Sequence, residues 1–246
     1  MINKHGNISE LLGYFDTSEH IANLKDNKTV LIKINLARPP EPGHPRTDAL
    51  ILSNVVSYFI ENGFICAIAE CADGYLSDNI RSIGLEWLTK DTRVRILDLD
   101  KEEAEQVIVD SEEHYIPKCL NEYQVRVAIP ASSKRSNAIF SNNVKLFIGA
   151  VPRRMYQIVE TVSWRPRIHI DLHKSVANVF RAIMNYAPFH IFINGGKAMN
   201  ENIGEFEFES ILTANNGIEL DKYVIDNIFY IERPEYISLL SEFERS

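Results

Sequence analysis

The chain has 246 residues, enough for one large domain or two small ones, and 45% of them are hydrophobic, which provides for a sizeable core. A charged fraction of 24% is ordinary for a globular protein, and a formal net charge of −8 argues against a general nucleic-acid binder, whose phosphate contacts need a basic surface. No apolar run approaches the roughly 18 residues of a membrane span, and Met1–Gly6 is not of signal-peptide type, so cytoplasm is the expected location, with no membrane or nucleic-acid partner.

Ile8, Leu11, Leu12 and Phe15 recur at helical spacing and predict a helical lead-in over 7–24. Residues 29–36 predict the first strand, a nearly continuous apolar run of the kind covered on both faces, with Lys33 and Asn35 at its end. A loop rich in Pro and Gly follows, and 37–46 reads as a cover over whatever lies at that strand end. Thr47 or Asp48 can cap the next helix, whose apolar stripe runs through Leu50, Ile51, Val55, Tyr58 and Phe59 until Asn62-Gly63 ends it. With a strand over 64–70 this completes a βαβ unit, for which a right-handed connection is expected. Ser77 or Asp78 starts another helix through Ile80, Ile83, Leu85 and Leu88, and a strand at 93–97 repeats the pattern.

The most acidic stretch, 98–113, reads as a solvated connection or a helix with a short strand at Val107–Val109. It is the one boundary candidate in a chain that otherwise reads as a single domain, 1–246, and would separate lobes 1–98 and 123–246. Val125–Pro130 predicts a strand with the polar, basic exit loop Ala131–Asn137. Lys145–Pro152 predicts a further apolar strand or turn. Phe189–Ile193 is a clear strand, and its exit, Asn194-Gly195-Gly196-Lys197, is either an anion-approaching backbone or a tight turn. Residues 197–209 read as irregular, 211–216 as a last strand and Ile218–Tyr230 as a closing helix. The expected class is α/β, a mostly parallel sheet built from βαβ units with helices on both faces.

Three cysteines at irregular spacing, Cys66, Cys71 and Cys119, make neither a disulfide framework nor a four-ligand cluster site. Cys66 reads as a packed small hydrophobe. Cys71 follows a strand beside Glu70 and is either an unreactive thiol at a strand end or, with Glu70, a reserve candidate for chemistry. His169, Asp171 and His173 would share one strand face and suit a metal. The helical stripe Leu172, Val176, Val179, Phe180 and Ile183 favours instead a helix capped by Asp171, so no metal set is assigned and this triad stays the lesser alternative.

Lys33, Asn35, Glu70, Lys134 and Asn194 all stand where an apolar strand ends. In a mostly parallel sheet such ends share one edge, where ligands bind. Arg46, Lys134, Arg135, Lys145, Arg153 and Arg154 concentrate positive charge in an acidic chain, which suits a carboxylate or phosphate as well as it suits plain surface. A Lys inside an apolar strand is expensive unless paired, which favours a functional Lys33. Asn35 and Asp48 can equally order the loop. No dinucleotide, P-loop or nucleophile-elbow signature is present.

Taken in order, these residues resemble the family catalogued as domain of unknown function 362. Its strand ending in Lys-x-Asn, its Thr-Asp before a helix and its acidic strand end match Lys33, Asn35, Thr47, Asp48 and Glu70. Its later Pro, two Lys and Gly-x-Val-Pro match Pro130, Lys134, Lys145, Gly149, Val151 and Pro152, and its His before a helix matches His169. The resemblance runs from about residue 29 to 226. Departures are Ala49 after Thr-Asp, where the family has Pro, and Asn194 and Asn216 where it has Asp. Many members carry a ferredoxin-like iron–sulfur module, and these residues lack its cysteines.

The expectation is therefore an enzyme acting on a small anionic metabolite, with Lys33 and Lys145 binding or polarising the anion and His169 as general acid/base. Asn35, Thr47, Asp48, Glu70, Lys134, Asn194 and Gly195 are the expected substrate-binding residues. The alternative is a non-catalytic binding or accessory protein on the same scaffold. No cofactor is assigned, and a homodimer is the default assembly.

Overall fold

In a computed structural model, which describes residues 1–24, 26, 28–37, 44–135, 138–157 and 165–243, the chain runs as follows. The first half comprises β1 (Ile2–His5), α1 (Ile8–Thr17), α2 (Glu19–Ala22), β2 (Thr29–Ile34), α3 (Ala49–Glu61), β3 (Ile65–Glu70), α4 (Leu76–Ser82), β4 (Val94–Asp98), β5 (Ala104–Val109) and β6 (Glu112–Pro117). The second comprises β7 (Val125–Ile129), β8 (Ser133–Arg135), β9 (Ala138–Ser141), α5 (Asn143–Leu146), α6 (Leu172–Tyr186), β10 (Ile191–Asn194), β11 (Lys197–Asn200), β12 (Gly204–Glu207), β13 (Ile211–Ala214), α7 (Gly217–Val224) and α8 (Glu235–Phe243).

The main sheet has the order β1-β13-β10-β7-β2-β3-β4. Strands β10, β7, β2, β3 and β4 are parallel, whereas β13 runs antiparallel to both β10 and β1. The α/β class and the mostly parallel sheet are thus observed, and one sheet takes strands from both sides of the acidic connection. Alternate strand residues enter different apolar clusters. Leu31, Ala67, Ala128 and Phe192 pack with residues of α6, α7 and α8, while Val30, Ile32, Cys66, Ile68 and Val127 pack with residues of α1 and α3. A strand that feeds two clusters must be apolar at consecutive positions, which is why β2 and β7 read as nearly continuous runs, interrupted by Lys33 and Arg126.

Several elements differ from expectation. The acidic connection is a hairpin, β5 with β6. Its two turn residues, Asp110 and Ser111, both have positive φ, 50° and 63°, the geometry that twists a two-residue turn correctly but that Asn-Gly usually signals. The hairpin is tied to α6 by Lys174–Glu112 at 2.5 Å, Asn178 to Glu112 at 3.1 Å and Arg181–Asp110 at 2.6 Å.

Of the strand or turn expected at 145–152, the structure has the turn. These residues are the end of α5 and a 3-10 turn, Phe147–Ala150, because the Asp221 carboxylate accepts the first N–H groups of α5, Asn143 N at 3.0 Å and Val144 N at 3.1 Å. Residues 197–209 include the β11–β12 hairpin, and the exit loop after β7 contains β8; these join β9 in a second sheet, β12-β11-β8-β9. The closing helix stops as an α-helix at Val224 and continues as a π-helical turn, Ile225–Phe229. The short β1 and the terminal α8 are further elements beyond those expected. The expected cover over 37–46 lies mostly on 38–43, outside the described residues. Among the described residues no helix is long and apolar enough to cross a membrane.

Candidate functional site

Because β2, β3, β7 and β10 are parallel, their C-terminal ends share one edge of the sheet. At that edge lies a cleft of about 780 Å³. Its lining comes from Asn35 and Ala37 after β2, from Glu70 and the segment to Tyr75 after β3, from residues between Ser141 and Arg153, and from Arg165 and His169. Four of the residues expected from the sequence therefore meet there: Asn35, Glu70, Lys145 and His169.

Lys33 sits behind this lining. It is 0% exposed, and its register partners on the two neighbouring strands are Ala69 and Ala128, small residues that leave room for a long side chain. Its Nζ lies 3.0 Å from Glu70 Oε2 and donates to the Ile34 carbonyl at 2.8 Å. Glu70, 2% exposed, also accepts the Cys71 N–H on Oε1 at 2.9 Å. Burial lowers the Lys33 ammonium and raises the Glu70 carboxyl, and each opposes the other's shift by its charge.

Gly149 closes over this pair: a Cβ there would stand 2.3 Å from Glu70 Oε1 and 3.1 Å from Lys33 Nζ. The Gly149 carbonyl accepts the Cys71 N–H at 2.9 Å, which fixes the turn against the end of β3.

The cleft's cations are held by their surroundings. Arg165, 9% exposed, donates from Nε and Nη2 to the Val151 carbonyl at 2.9 and 2.7 Å, and its charge acts on Glu70. Arg153 donates to the Cys71 carbonyl at 2.9 Å and lies 3.5 Å from Asp100 and 3.6 Å from Asp73. His169 Nδ1 lies 2.8 Å from the Arg165 carbonyl; since a carbonyl only accepts, Nδ1 carries the proton and Nε2 is the acceptor nitrogen. Lys145 is half-buried on the lining. The Arg165 contribution had no sequence signal beyond an Arg before a Pro, and Gly149 stood out only as part of Gly-x-Val-Pro.

The remaining expected residues lie elsewhere. Thr47 ties three strand-end groups: its hydroxyl donates to the Ile129 carbonyl at 2.6 Å and accepts the Asn35 N–H at 2.8 Å, and its own N–H donates to the Asn35 carbonyl at 3.3 Å. Asp48 caps α3 by accepting the Ile51 N–H at 2.9 Å. Gly195 packs on Ile51, and Gly196, at φ +68°, lies against the Asp48 carboxylate, where a Cβ would stand 2.3 Å from Oδ2. That geometry matches the tight turn of the two readings offered above.

Lys134 lines a different cleft, with Phe140, His173 and Arg233. Arg46 reaches Ser82 at 3.3 Å and Arg154 the Glu102 carbonyl at 2.8 Å, so the expected concentration of positive charge is divided. The side chain of Arg135 lies outside the described residues.

Asn194 belongs to a buried polar cluster behind the cleft. It donates to Ser132 at 3.0 Å and accepts from Asn143 at 2.6 Å, and Asn143 also donates to Asp221 at 3.0 Å. Burial pushes the Asp221 carboxyl up to about 7 against the pull of its N–H donors. Asn216 caps α7 by accepting the Ile218 and Glu219 N–H groups.

His169, Asp171 and His173 do not converge: they line three separate clefts, and Asp171 is the N-cap of α6, as the helical stripe requires. Among the described residues no group of three or more His, Cys, Asp or Glu could hold a metal ion. The cysteines are buried singly; burial pushes Cys66 and Cys119 up to about 12 and Cys71 well above its ordinary value, and the Cys71 thiol donates to the Val151 carbonyl. They do not supply the four thiolates of an iron–sulfur cluster.

A comparison with the curated proteins gives no match. The family model described as Domain of unknown function (DUF362) matches residues 30–226, most of the chain, and the chain belongs to that family.

Proposed function

We propose that the chain is an enzyme acting on a small carboxylate- or phosphate-bearing metabolite in the cleft at the C-terminal strand ends. The observation that carries this is the meeting of Lys145, Arg153, Arg165 and His169 in one cleft of about 780 Å³, a size suited to a metabolite. Lys145 and Arg165 would bind the anion, and His169 Nε2, as the acceptor nitrogen, would take a proton from the substrate and return it. Lys33, behind Glu70, acts through that carboxylate. Asn35 shapes the wall, with Thr47 and Asp48 fixing the strand end and the start of α3. Lys134, Asn194 and Gly195 play no direct part in this reading. The same reading takes the chain as one domain with helices on both faces of the sheet, supported by its two apolar clusters, and working in the cytoplasm.

The second reading is a binding or accessory protein. It is favoured by Asn194, whose amide donates to Ser132 and so does a hydrogen-bonding task that an Asp could not. One experiment separates the two. A panel of small carboxylates and phosphate esters is screened by thermal shift, and the best stabiliser is tested for turnover. Lys145→Ala should weaken its binding about tenfold or more, and His169→Ala should retain binding but abolish turnover. Binding with no turnover in the native protein would favour the second reading. No stabilisation by any anion would end the first reading.

A further inference from the structure

We infer that Glu70 is a second proton-exchanging group of this cleft, beside His169: its carboxyl takes up a proton as an anion enters, with Lys33 balancing the carboxylate from behind and Gly149 packed directly on the pair. The inference rests on the anion reading above and goes further by assigning a proton linkage to it.

Three observations carry it. Glu70 is buried yet lines the cleft, and both its oxygens are held, Oε2 by Lys33 at 3.0 Å and Oε1 by the Cys71 N–H at 2.9 Å. The carboxyl is therefore fixed in place and cannot turn away from an incoming charge. Next, Gly149 lines the same cleft, and the position of its missing Cβ lies 2.3 Å from Glu70 Oε1 and 3.1 Å from Lys33 Nζ. Any side chain there would push the carboxylate out of its place, so only glycine lets the turn pack on the pair.

The third observation is charge. The ionisable groups acting on Glu70 are Lys33 from β2, Arg165 before α6 and the adjoining Cys71 thiol. Lys145, His169, Asp73 and Arg153 stand on the lining around it. Lys33 and Arg165 against Glu70 leave one net positive charge in the buried group, which attracts an anion. The anion then meets a carboxylate. A like charge disfavours the ionised form, as burial already does for Glu70, so the carboxyl gains a proton from solvent and the repulsion is relieved. The proton then stands beside the bound molecule, where it can be given to a developing oxyanion or carbanion.

Sulfate is the probe, because it carries no proton near neutral pH. Its binding is measured by calorimetry near neutral pH in two buffers of different ionisation enthalpy, on the native chain and on Glu70→Gln. The expected result is net proton uptake, up to about one per sulfate, in the native chain and none in the variant, which still binds. Binding without uptake, or equal uptake in Glu70→Gln, would overturn the inference and leave the anion reading intact. Absence of sulfate binding would count against the anion reading and remove the linkage with it. Should the variant not fold, ¹³C titration of the glutamate carboxyls in the native chain decides. A resonance that titrates above the ordinary carboxylate range and shifts with sulfate supports the assignment; ordinary titration of every glutamate overturns it.

Discussion

Lys33→Met tests the buried pair most directly, since Met keeps much of the aliphatic stem and removes only the ammonium. In the native chain that ammonium lies 3.0 Å from Glu70 Oε2. At an effective dielectric constant near 20 the attraction across that distance is about 5 kcal/mol, which agrees with the roughly 3–5 kcal/mol lost when one partner of a buried pair is removed. Glu70 has an escape, because it can take up a proton. From an unfolded pKa near about 4.3, protonation costs about 5 kcal/mol at pH 8 but only about 1 kcal/mol at pH 5.

The sign follows. Without Lys33 the folded Glu70 pKa rises further above its unfolded value, so the variant loses stability as pH climbs from the unfolded pKa towards the folded one. Urea unfolding should therefore give a loss of about 3–5 kcal/mol at pH 8 that shrinks to about 1–2 kcal/mol at pH 5. The double variant Lys33→Met/Glu70→Gln should recover most of the pH 8 loss and its pH dependence. A single variant within about 1 kcal/mol of native at pH 8, or a loss that does not change with pH, would refute the coupling described here.

Asp221, with its carboxyl raised to about 7 from an ordinary 3.8, makes a second pH claim. A raised carboxyl contributes stability that is full below the unfolded pKa and fades as pH rises to about 7, on the order of a few kcal/mol in all. Unfolding curves of Asp221→Asn should lack that slope between pH 4 and 7; a slope equal to the native one would contradict the assignment. Thr47→Val removes the hydroxyl that donates to Ile129 at 2.6 Å and accepts from Asn35 at 2.8 Å, and should cost about 1–3 kcal/mol in urea unfolding. A loss below measurement error would mean the strand ends are held by other contacts. All three thiols are buried, so a colorimetric thiol reagent should react with none until the chain unfolds; fast modification of Cys71 in the folded protein would restore it as a nucleophile.

The sequence by itself determined the α/β class and the parallel succession of β2, β3 and β7, because strands that pack into two apolar clusters must be apolar at neighbouring positions. It also determined the cap at Asp171, where a short carboxylate precedes a helical stripe, and narrowed the α3 cap to Thr47 or Asp48, of which the structure uses Asp48. Parallel strand ends share an edge, so Asn35 and Glu70 could be expected together from the strands alone; the same argument also named Lys134 and Asn194, which lie outside the cleft, whereas Lys145 and His169 were expected only from the family resemblance.

Only the tertiary structure decided what lies within reach of what. Nothing local in Ala69 and Ala128 announces that they flank Lys33, or that Glu70 meets its ammonium. Arg165 enters the cleft through contacts with Val151, fourteen residues earlier in the chain. Lys134 leaves it because β8 carries that residue into the second sheet. The β5–β6 hairpin is likewise fixed by non-local pairing, its turn lacking the glycine that would have signalled it. Periodicity records which face of an element is buried, whereas a site depends on which faces are brought together.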